Sequence, residues 1–387
     1  MSWKYVTLDK LGSISRGKSK HRPRNDKALF GGKYPFVQTA DVKAAGLYLT
    51  QYTDTYNDRG LEQSKLWKAG TLCITIAANI ADTAILGIDA CFPDSVMGFI
   101  PYEGVSNVKF VKYAFDVLQR DCQTISQGTA QDNLSWKKLS TIRFPAPPIE
   151  TQDKIVEILS TYDALIESNQ RQIKLLEEAA QRLYKEWFVD LRFPGYEDVA
   201  VVDGMPEGWK KERLADIADV QYGYAFDGSL FNSDGQGMPI IRIRNIPNGT
   251  TNDYTTEEAS EQYLVANGDI VVGMDGEFHI NAWSGDTAYL VQRTCRITPQ
   301  KETMRGWLLQ AIYEPIKYFE KTVVGATVAH LGKKHIDTIE LLTGPDDLYI
   351  PFQRLFEKRQ LLLNQNNILK EARDRLLPKL MSGELEV

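Results

Sequence analysis

Within its 387 residues the chain has no apolar run approaching the roughly 18–20 residues that a membrane-crossing helix needs. Its start, Met1-Ser2-Trp3-Lys4-Tyr5, carries no apolar stretch behind a basic end and does not read as a secretory signal. Cys73, Cys91, Cys122 and Cys295 show none of the short paired spacings used by zinc sites or disulfide frameworks, and they suit a reducing cytoplasm. The four histidines, His21, His279, His330 and His335, form no spaced ligand set. Two enzyme signatures are missing as well: the Asn/Asp-Pro-Pro-aromatic motif of amino methylation, and the Gly-x-Ser-x-Gly nucleophile elbow. No catalytic residue and no metal site is singled out. What is present, 43% hydrophobic and 25% charged residues, is an ordinary globular composition at a length that suits two or three domains.

The net charge of −6 speaks against a simple DNA-binding protein, but it is unevenly spread. Residues 1–148 carry 19 Lys/Arg against 13 Asp/Glu, or +6, whereas residues 206–345 carry 13 against 19, or −6. Residues 149–190 hold 5 against 9, residues 191–205 hold 1 against 3, and residues 346–387 balance at 7 and 7. Phosphate contacts depend on local patches, so an acidic total does not exclude nucleic acid. It does imply that another molecule supplies part of the positive surface.

The chain repeats itself once. Trp3-Lys4, Leu8, Ile14 and Gly17 are answered by Trp209-Lys210, Leu214, Val220 and Gly223. Tyr34-Pro35-Phe36-Val37 is answered by Met238-Pro239-Ile240-Ile241, and Lys68-Ala69-Gly70-Thr71-Leu72 by Ala266-Asn267-Gly268-Asp269-Ile270. Gly128 to Leu134 matches Gly325 to Leu331. The order is kept while the offset drifts, as loop insertions in a duplication require.

Each copy leads into a long helix. After Pro147-Pro148, the residues Ile155, Leu159, Tyr162, Ile166, Asn169, Ile173, Leu176, Ala180, Leu183 and Trp187 alternate steps of four and three. This heptad seam runs close to 50 Å at about 1.5 Å per residue. Leu355, Leu362, Leu369 and Leu376 form a second seam, and Asn169 and Asn366 each sit in mid-seam. We expect the two helices to pair antiparallel with these asparagines meeting, since one polar seam position fixes register at a cost in stability. Ile166, Asn169 and Ile173 on one helix and Leu362, Asn366 and Leu369 on the other are the expected pairing residues.

Inside the lobes, Leu72–Ile76 and Asp269–Val272 read as buried strands, Val105–Val111 as a half-exposed strand, and Trp307–Ile312 as a helix limited by Pro315. The fold class is α+β: two tandem α/β domains, separated by two long helices in an antiparallel coiled coil, in a pseudo-twofold repeat. The expected segments are a first domain at 1–148, a central helix at 149–190, a linker at 191–205, a second domain at 206–348 and a C-terminal helix at 349–387.

Gly12-Ser13-Ile14-Ser15-Arg16-Gly17-Lys18-Ser19 satisfies the phosphate-loop pattern literally. A phosphate loop needs a buried strand before it and a helix after it. Here the preceding residues are polar, and Lys20-His21-Arg22-Pro23-Arg24-Asn25 cannot open an apolar helix. The segment reads better as a basic loop in which Arg16, Lys18, Lys20, Arg22 and Arg24 track phosphates and an arginine can read guanine, with a plain solvated loop as the alternative. Gln127, Thr129 and Gln131 around Gly128 suit base edges or sugar-phosphate, or a turn that satisfies its own backbone, and Lys137 follows in Trp136-Lys137-Lys138. In the second copy, Arg242 and Arg244 would point to one face of a strand, and Lys333 and Lys334 follow the glycine landmark. Asp275, Glu277 and His279 lack the His or Cys support for a metal; Glu277 or Asp275 accepting from cytosine is more in keeping, and Glu277 and His279 are kept as DNA-binding candidates.

Taken together, Met205-Pro206-Glu207-Gly208-Trp209 opening a lobe, the Phe144-Pro145-Ala146-Pro147-Pro148-Ile149-Glu150-Thr151-Gln152 helix entry, Arg182-Leu183-Tyr184-Lys185-Glu186-Trp187-Phe188, and the ending Arg375-Leu376-Leu377-Pro378-Lys379-Leu380-Met381-Ser382-Gly383-Glu384-Leu385 resemble the specificity subunit of type I restriction-modification enzymes over essentially the whole chain. The resemblance implies a non-catalytic, cytoplasmic DNA-recognition subunit. Each target-recognition domain would read one half of a bipartite site in double-stranded DNA, with the gap set by the helices. It implies two DNA adenine methyltransferase subunits as partners, which carry S-adenosylmethionine, and restriction/translocase subunits that can join with ATP and Mg. No cofactor would be bound by this chain and no membrane is involved. Tyr184, Phe188, Phe193 and Tyr196 become candidates for docking the methylating subunits. Two other readings stay open: a phosphate-loop NTPase, which nucleotide binding lost in Lys18→Ala would favour, and a coiled-coil scaffold, which sequence-insensitive DNA binding would favour.

Overall fold

The computed structural model describes residues 3–77, 80–126, 136–322 and 329–387. The chain divides into two compact units, residues 1–166 with 369–387 and residues 167–368. Both divisions fall inside long helices, Ile149–Tyr184 and Ile350–Ser382, so each unit comprises a lobe and a stretch of both helices.

In the first unit the main sheet runs in the order Gly12–Arg16, Val96–Pro101, Leu72–Thr75, Thr83–Leu86 and Tyr48–Leu49. A second sheet runs Asp54–Tyr56, Phe30–Phe36, Ala90–Cys91 and Leu66–Trp67. Tyr5–Val6 pairs with Phe144–Pro145, joining the two ends of the lobe. The helix Val108–Ser126 sets Phe110, Val111, Ala114 and Phe115 into one core with Leu72, Ile74 and Phe99.

The second unit repeats this topology. Its main sheet runs Ala218–Tyr222, Thr294–Pro299, Ile270–Gly273 and Ile280–Ala282. Its second sheet contains Tyr254–Thr255, Met238–Ile241, Ala288–Leu290 and Leu264–Val265 in the order of their first-lobe counterparts, and Lys210–Arg213 closes against Glu340–Thr343. The duplication extends to single hydrogen bonds. Gly70 and Gly268 both take a left-handed turn, at φ +88° and +91°, just before their strands. Their amides donate to Leu86 O and to Trp283 O, each at 2.8 Å. A residue with a Cβ would be strained at either place. Gly17 and Gly223 likewise lie so close to a neighbouring carbonyl, of Pro93 and of Val291, that a Cβ would stand 2.2 and 2.1 Å from it.

Two local expectations are corrected. Val105–Val111 is not a strand: the Asn107 side chain accepts the Lys109 amide at 2.9 Å, its carbonyl accepts the Val111 amide, and the helix starts at Val108. Phe110, Val111, Ala114 and Phe115 supply the helical spacing that a seven-residue window misses. Pro315 does not end the Arg305–Ala311 helix; it sits in the first turn of a further helix, Tyr313–Thr322, where its missing N–H leaves no intrahelical bond unmade.

The long helices pair antiparallel. In the second unit Asn169 Nδ2 donates to Asn366 Oδ1 at 3.0 Å and Arg359 Nε to Glu177 Oε1 at 2.7 Å. Advancing along one helix therefore means retreating along the other. Asn169 and Asn366 are 8% and 4% exposed, and Ile166, Ile173 and Leu362 are buried as the seam requires, with Leu369 half-buried. In the first unit Ile155 and Leu159 share a core with Leu377, Leu380 and Met381, and Arg373 Nη1 donates to Asp163 Oδ1 at 2.7 Å.

The asparagine pair yields a measurable asymmetry. Asn169→Leu alone leaves a buried amide without a partner, a cost of about 1–3 kcal/mol, and lowers the melting temperature by several degrees. Asn169→Leu with Asn366→Leu recovers most of that loss in thermal unfolding; equal loss in the single and double variants would mean that the bond is not the origin of the effect.

Candidate nucleic-acid interface

The basic loop is built rather than loose. Arg16 ends the strand Gly12–Arg16, and Gly17 N donates to Val96 O, Lys18 N to Phe92 O and Lys20 N to Gln63 O. Ser64 Oγ donates to the Lys18 carbonyl at 2.8 Å. These amides are held by three different carbonyls and do not converge on one point, and Asp26 caps only the short turn Lys27–Leu29 instead of a helix. The literal phosphate-loop pattern is therefore not a phosphate cradle.

Arg22 and Arg24 are exposed and gather on one carboxylate, with Arg24 2.8 Å and Arg22 3.9 Å from Asp94. Arg22 Nη1 also donates to the carbonyls of Ser19 and His21. His21 Nε2 lies 2.8 Å from Asp26, whose carboxyl is held below its ordinary range by the Ala28 amide and then by His21. Lys20 is exposed and Lys18 half-buried. Among the described residues no acidic side chain pairs with Arg16, Lys18 or Lys20.

Beside the loop lies an open cavity of about 600 Å³ whose lining includes Ser19, Arg24, Asn25, Lys27, Gln38 and Asp54. Gln38 and Asp54 carry no signal when the sequence is read locally. They come together because Asp54 pairs with Phe36 across the second sheet, and Gln38 Nε2 donates to Asp54 Oδ2 at 2.8 Å. One clue was available: Gln38 directly follows the repeated Tyr34–Val37 segment, as Arg242 follows Met238–Ile241.

In the second lobe Arg242 and Arg244 do not share a strand face. The strand ends at Ile241, and Ile243–Asn248 is a 3-10 turn whose backbone is pinned where Arg242 N donates to Asn245 Oδ1 at 2.8 Å. Arg242 lies over the Phe231 ring, 5.6 Å from its centroid, while Arg244 pairs with Asp253. Burial pushes the Asp253 carboxyl up, but hydrogen bonds from Arg244 and Asn245 outweigh it and hold the group below its ordinary value. Glu277 is exposed with His279 Nδ1 3.6 Å away, whereas Asp275 turns to His330, 2.5 Å from its Nδ1. The three do not converge, and among the described residues no group of three potential metal ligands forms. Lys333 and Lys334 are exposed on the short helix Lys333–Ile336. Gln127, Thr129 and Gln131 lie outside the described residues, as does the side chain of Lys137.

The docking candidates divide. Phe188 and Phe193, 5% and 6% exposed, are core residues of the second unit: Phe188 packs on Trp209, Trp307 and Phe352, and Phe193 on Trp209. An aromatic row this close to helix and lobe serves packing before it can serve a partner, which corrects the expectation for both. Tyr184 is half-buried, stacked on Phe188, with its hydroxyl pushed up to about 12 by burial. Tyr196 is exposed.

Residues 1–178 and 206–345 match the family described as type I restriction modification DNA specificity domain. The chain belongs to this family. It is a specificity subunit of the type I restriction-modification kind, and the two matched stretches are its two repeats. Over 410 aligned residues it is 25% identical to the type I restriction enzyme MjaIX specificity subunit of Methanocaldococcus jannaschii, covering all of this chain and 94% of the relative. It is 29% identical over 192 residues to the EcoBI specificity subunit of Escherichia coli, covering 46% and 40%. The crystal structure of the type I S subunit from M. genitalium shares the fold, with a TM-score of 0.60 at 15% identity over 98% of this chain and 96% of that one. No helix of the described residues is long and apolar enough to cross a membrane.

The loop geometry predicts a negative result that can be checked. The purified chain should bind neither ATP nor GTP in equilibrium dialysis, and Lys18→Ala should change nothing; saturable binding lost in that variant would restore the phosphate-loop reading.

Proposed function

We propose that this specificity subunit reads a bipartite site in double-stranded DNA, one half by each lobe, with the antiparallel helices setting the gap. The observation that carries the reading is the repetition of one lobe topology down to single hydrogen bonds, joined to a helix pair whose register is held by Asn169 and Asn366. Two readers of one design on a fixed spacer suit a target with two halves.

The basic first lobe supplies phosphate contacts from Arg16, Lys18 and Lys20, and from Arg22 and Arg24 once DNA competes with Asp94. The chain supplies recognition, not chemistry. Two adenine methyltransferase subunits bring S-adenosylmethionine, and restriction subunits bring ATP and Mg, in the cytoplasm. The helices offer these partners apolar side chains that point away from the seam: Ile158 and Leu165 in the first unit, and Leu175, Leu361 and Ile368 in the second. Leu175, Leu361 and Ile368 are 63%, 56% and 66% exposed, and Tyr184 and Tyr196 add polar-tipped rings.

The test is a genome-wide map of adenine methylation in host cells with and without this chain, its methylating partners present throughout. A split motif should vanish with the chain, and exchanging residues 1–148 should alter one half only. An unchanged map from active partners would overturn the proposal. With the assembled complex, Arg16→Ala, Lys18→Ala and Lys20→Ala should each weaken all DNA sequences alike and flatten the log Kd against log salt slope by about one unit. Asn169→Leu with Asn366→Leu should leave the halves intact while relaxing the spacer length tolerated.

A further inference from the structure

The two lobes place a polar side chain at one equivalent position, and we propose that these two residues are base readers: Gln38 for an adenine in one half-site and Arg242 for a guanine in the other. The inference rests on the split-site reading above and names the side chains that carry it out.

Equivalence follows from pairing. In the first lobe Phe36 faces Asp54 on one side and Cys91, in parallel, on the other. In the second, Ile240 donates its amide to the Asp253 carbonyl at 2.9 Å on one side and faces Tyr289, in parallel, on the other. Gln38 and Arg242 each come two residues later. Their backbones are held alike, Gln38 N donating to Asp41 Oδ2 at 2.7 Å and Arg242 N to Asn245 Oδ1 at 2.8 Å. Asp54 and Asp253 are the matching carboxylates, and each binds a donor from the segment that follows the strand: Gln38 in one lobe, Arg244 and Asn245 in the other. The frame is duplicated and the side chain at its edge is not, which is the arrangement two readers of different bases require.

The chemistry of each side chain selects its base. Asp54 is an acceptor, so the Gln38 carboxamide must turn its NH2 toward it; the reverse would set oxygen against oxygen. That leaves one N–H and the carbonyl oxygen side by side, the pair that meets adenine N7 and N6 in the major groove. Gln38 is exposed and lines the 600 Å³ cavity next to Arg24 and Lys27, so a base edge can approach where phosphate-binding cations are at hand. In the second lobe Asp253 occupies Arg244, and among the described residues no carboxylate pairs with Arg242. Phe231 supports the Arg242 guanidinium from one face, which restricts it without using its N–H groups. Its fork matches guanine O6 and N7.

The assembled complex with its methylating subunits tests this through methylation maps and duplex binding. Gln38→Ala should relax one adenine position in one half of the motif, and Arg242→Ala one guanine position in the other half. Replacing that base pair should weaken wild-type binding by about ten- to a hundred-fold, and the matching variant by less than about three-fold. Arg242→Lys, which keeps a cation above Phe231 and lacks the fork, should relax the same guanine with unchanged thermal stability. If the wild-type complex produces no split motif, the split-site reading itself fails. If it produces one and these variants keep every base preference, or lose all sequences equally, the assignment of Gln38 and Arg242 is overturned while the split-site reading stands.

Discussion

The hydrogen bond between Asn169 and Asn366 is the constraint on which the helix pair depends. An all-leucine seam would bind at least as strongly but could slide by a heptad with little penalty. Two amides in an apolar seam have only one register in which each finds the other, and any slip leaves both buried and unpaired at about 1–3 kcal/mol apiece. The surrounding bonds agree with that register. Glu177 meets Arg359 on one side of it within the second unit, and Asp163 meets Arg373 within the first. A protein whose proposed task is to hold a fixed gap gains more from one permitted register than from the last increment of stability.

Duplication explains why so little sequence similarity is needed to keep the lobes alike. What is preserved is steric and geometric: a left-handed glycine before the central strand, a glycine forced against a carbonyl, and the same strand order in both sheets. What diverges is charge and side-chain chemistry at the edges. The C-terminal helix is stitched to the second lobe through Gln360 to Trp283 O, Asn367 to Ser284 O and Arg359 to Asn281 Oδ1, side-chain bonds to the strand Ile280–Ala282 and the residues just after it.

The sequence made the long-range plan legible and much of the local detail illegible. The seam could be read because a heptad repeats over ten positions, and the asparagines stood out as polar residues in an apolar series. The strand wrongly expected at Val105–Val111 arose because a short alternation looks the same from inside a window whether Asn107 caps a helix or not. The strand expected to carry Arg242 and Arg244 stops at Ile241, and nothing local in the sequence announces that stop. An aromatic row reads alike in a core and on a docking surface; burial beside Trp209, with Trp307 and Phe352 also against Phe188, puts Phe188 and Phe193 in the core. Gln38 is marked in the sequence only by its place after the repeated Tyr34–Val37 segment. Its partner Asp54 is brought to it by the sheet pairing, across sixteen residues of sequence.

The acidity of the second lobe takes on a sharper meaning in the structure. Several of its cations are already bound by its own acids: Arg244 by Asp253, Arg305 by Asp269, Arg293 by Asp275, and Lys317 by Glu320. Those pairs take four cations out of play and leave the excess of acids unchanged, so the lobe offers little general attraction to phosphate. On the split-site reading, such a lobe relies on a few placed groups, such as Arg242 over Phe231 and the exposed Lys333 and Lys334, and on positive surface from its proposed partners. On the same reading, the basic first lobe finds DNA by charge and then tests its bases, while the acidic second lobe gains only when its bases are right. On the split-site reading that asymmetry is useful. A half-site contributed by a reader with little nonspecific affinity adds almost nothing on the wrong sequence, and discrimination is a difference between affinities rather than their sum.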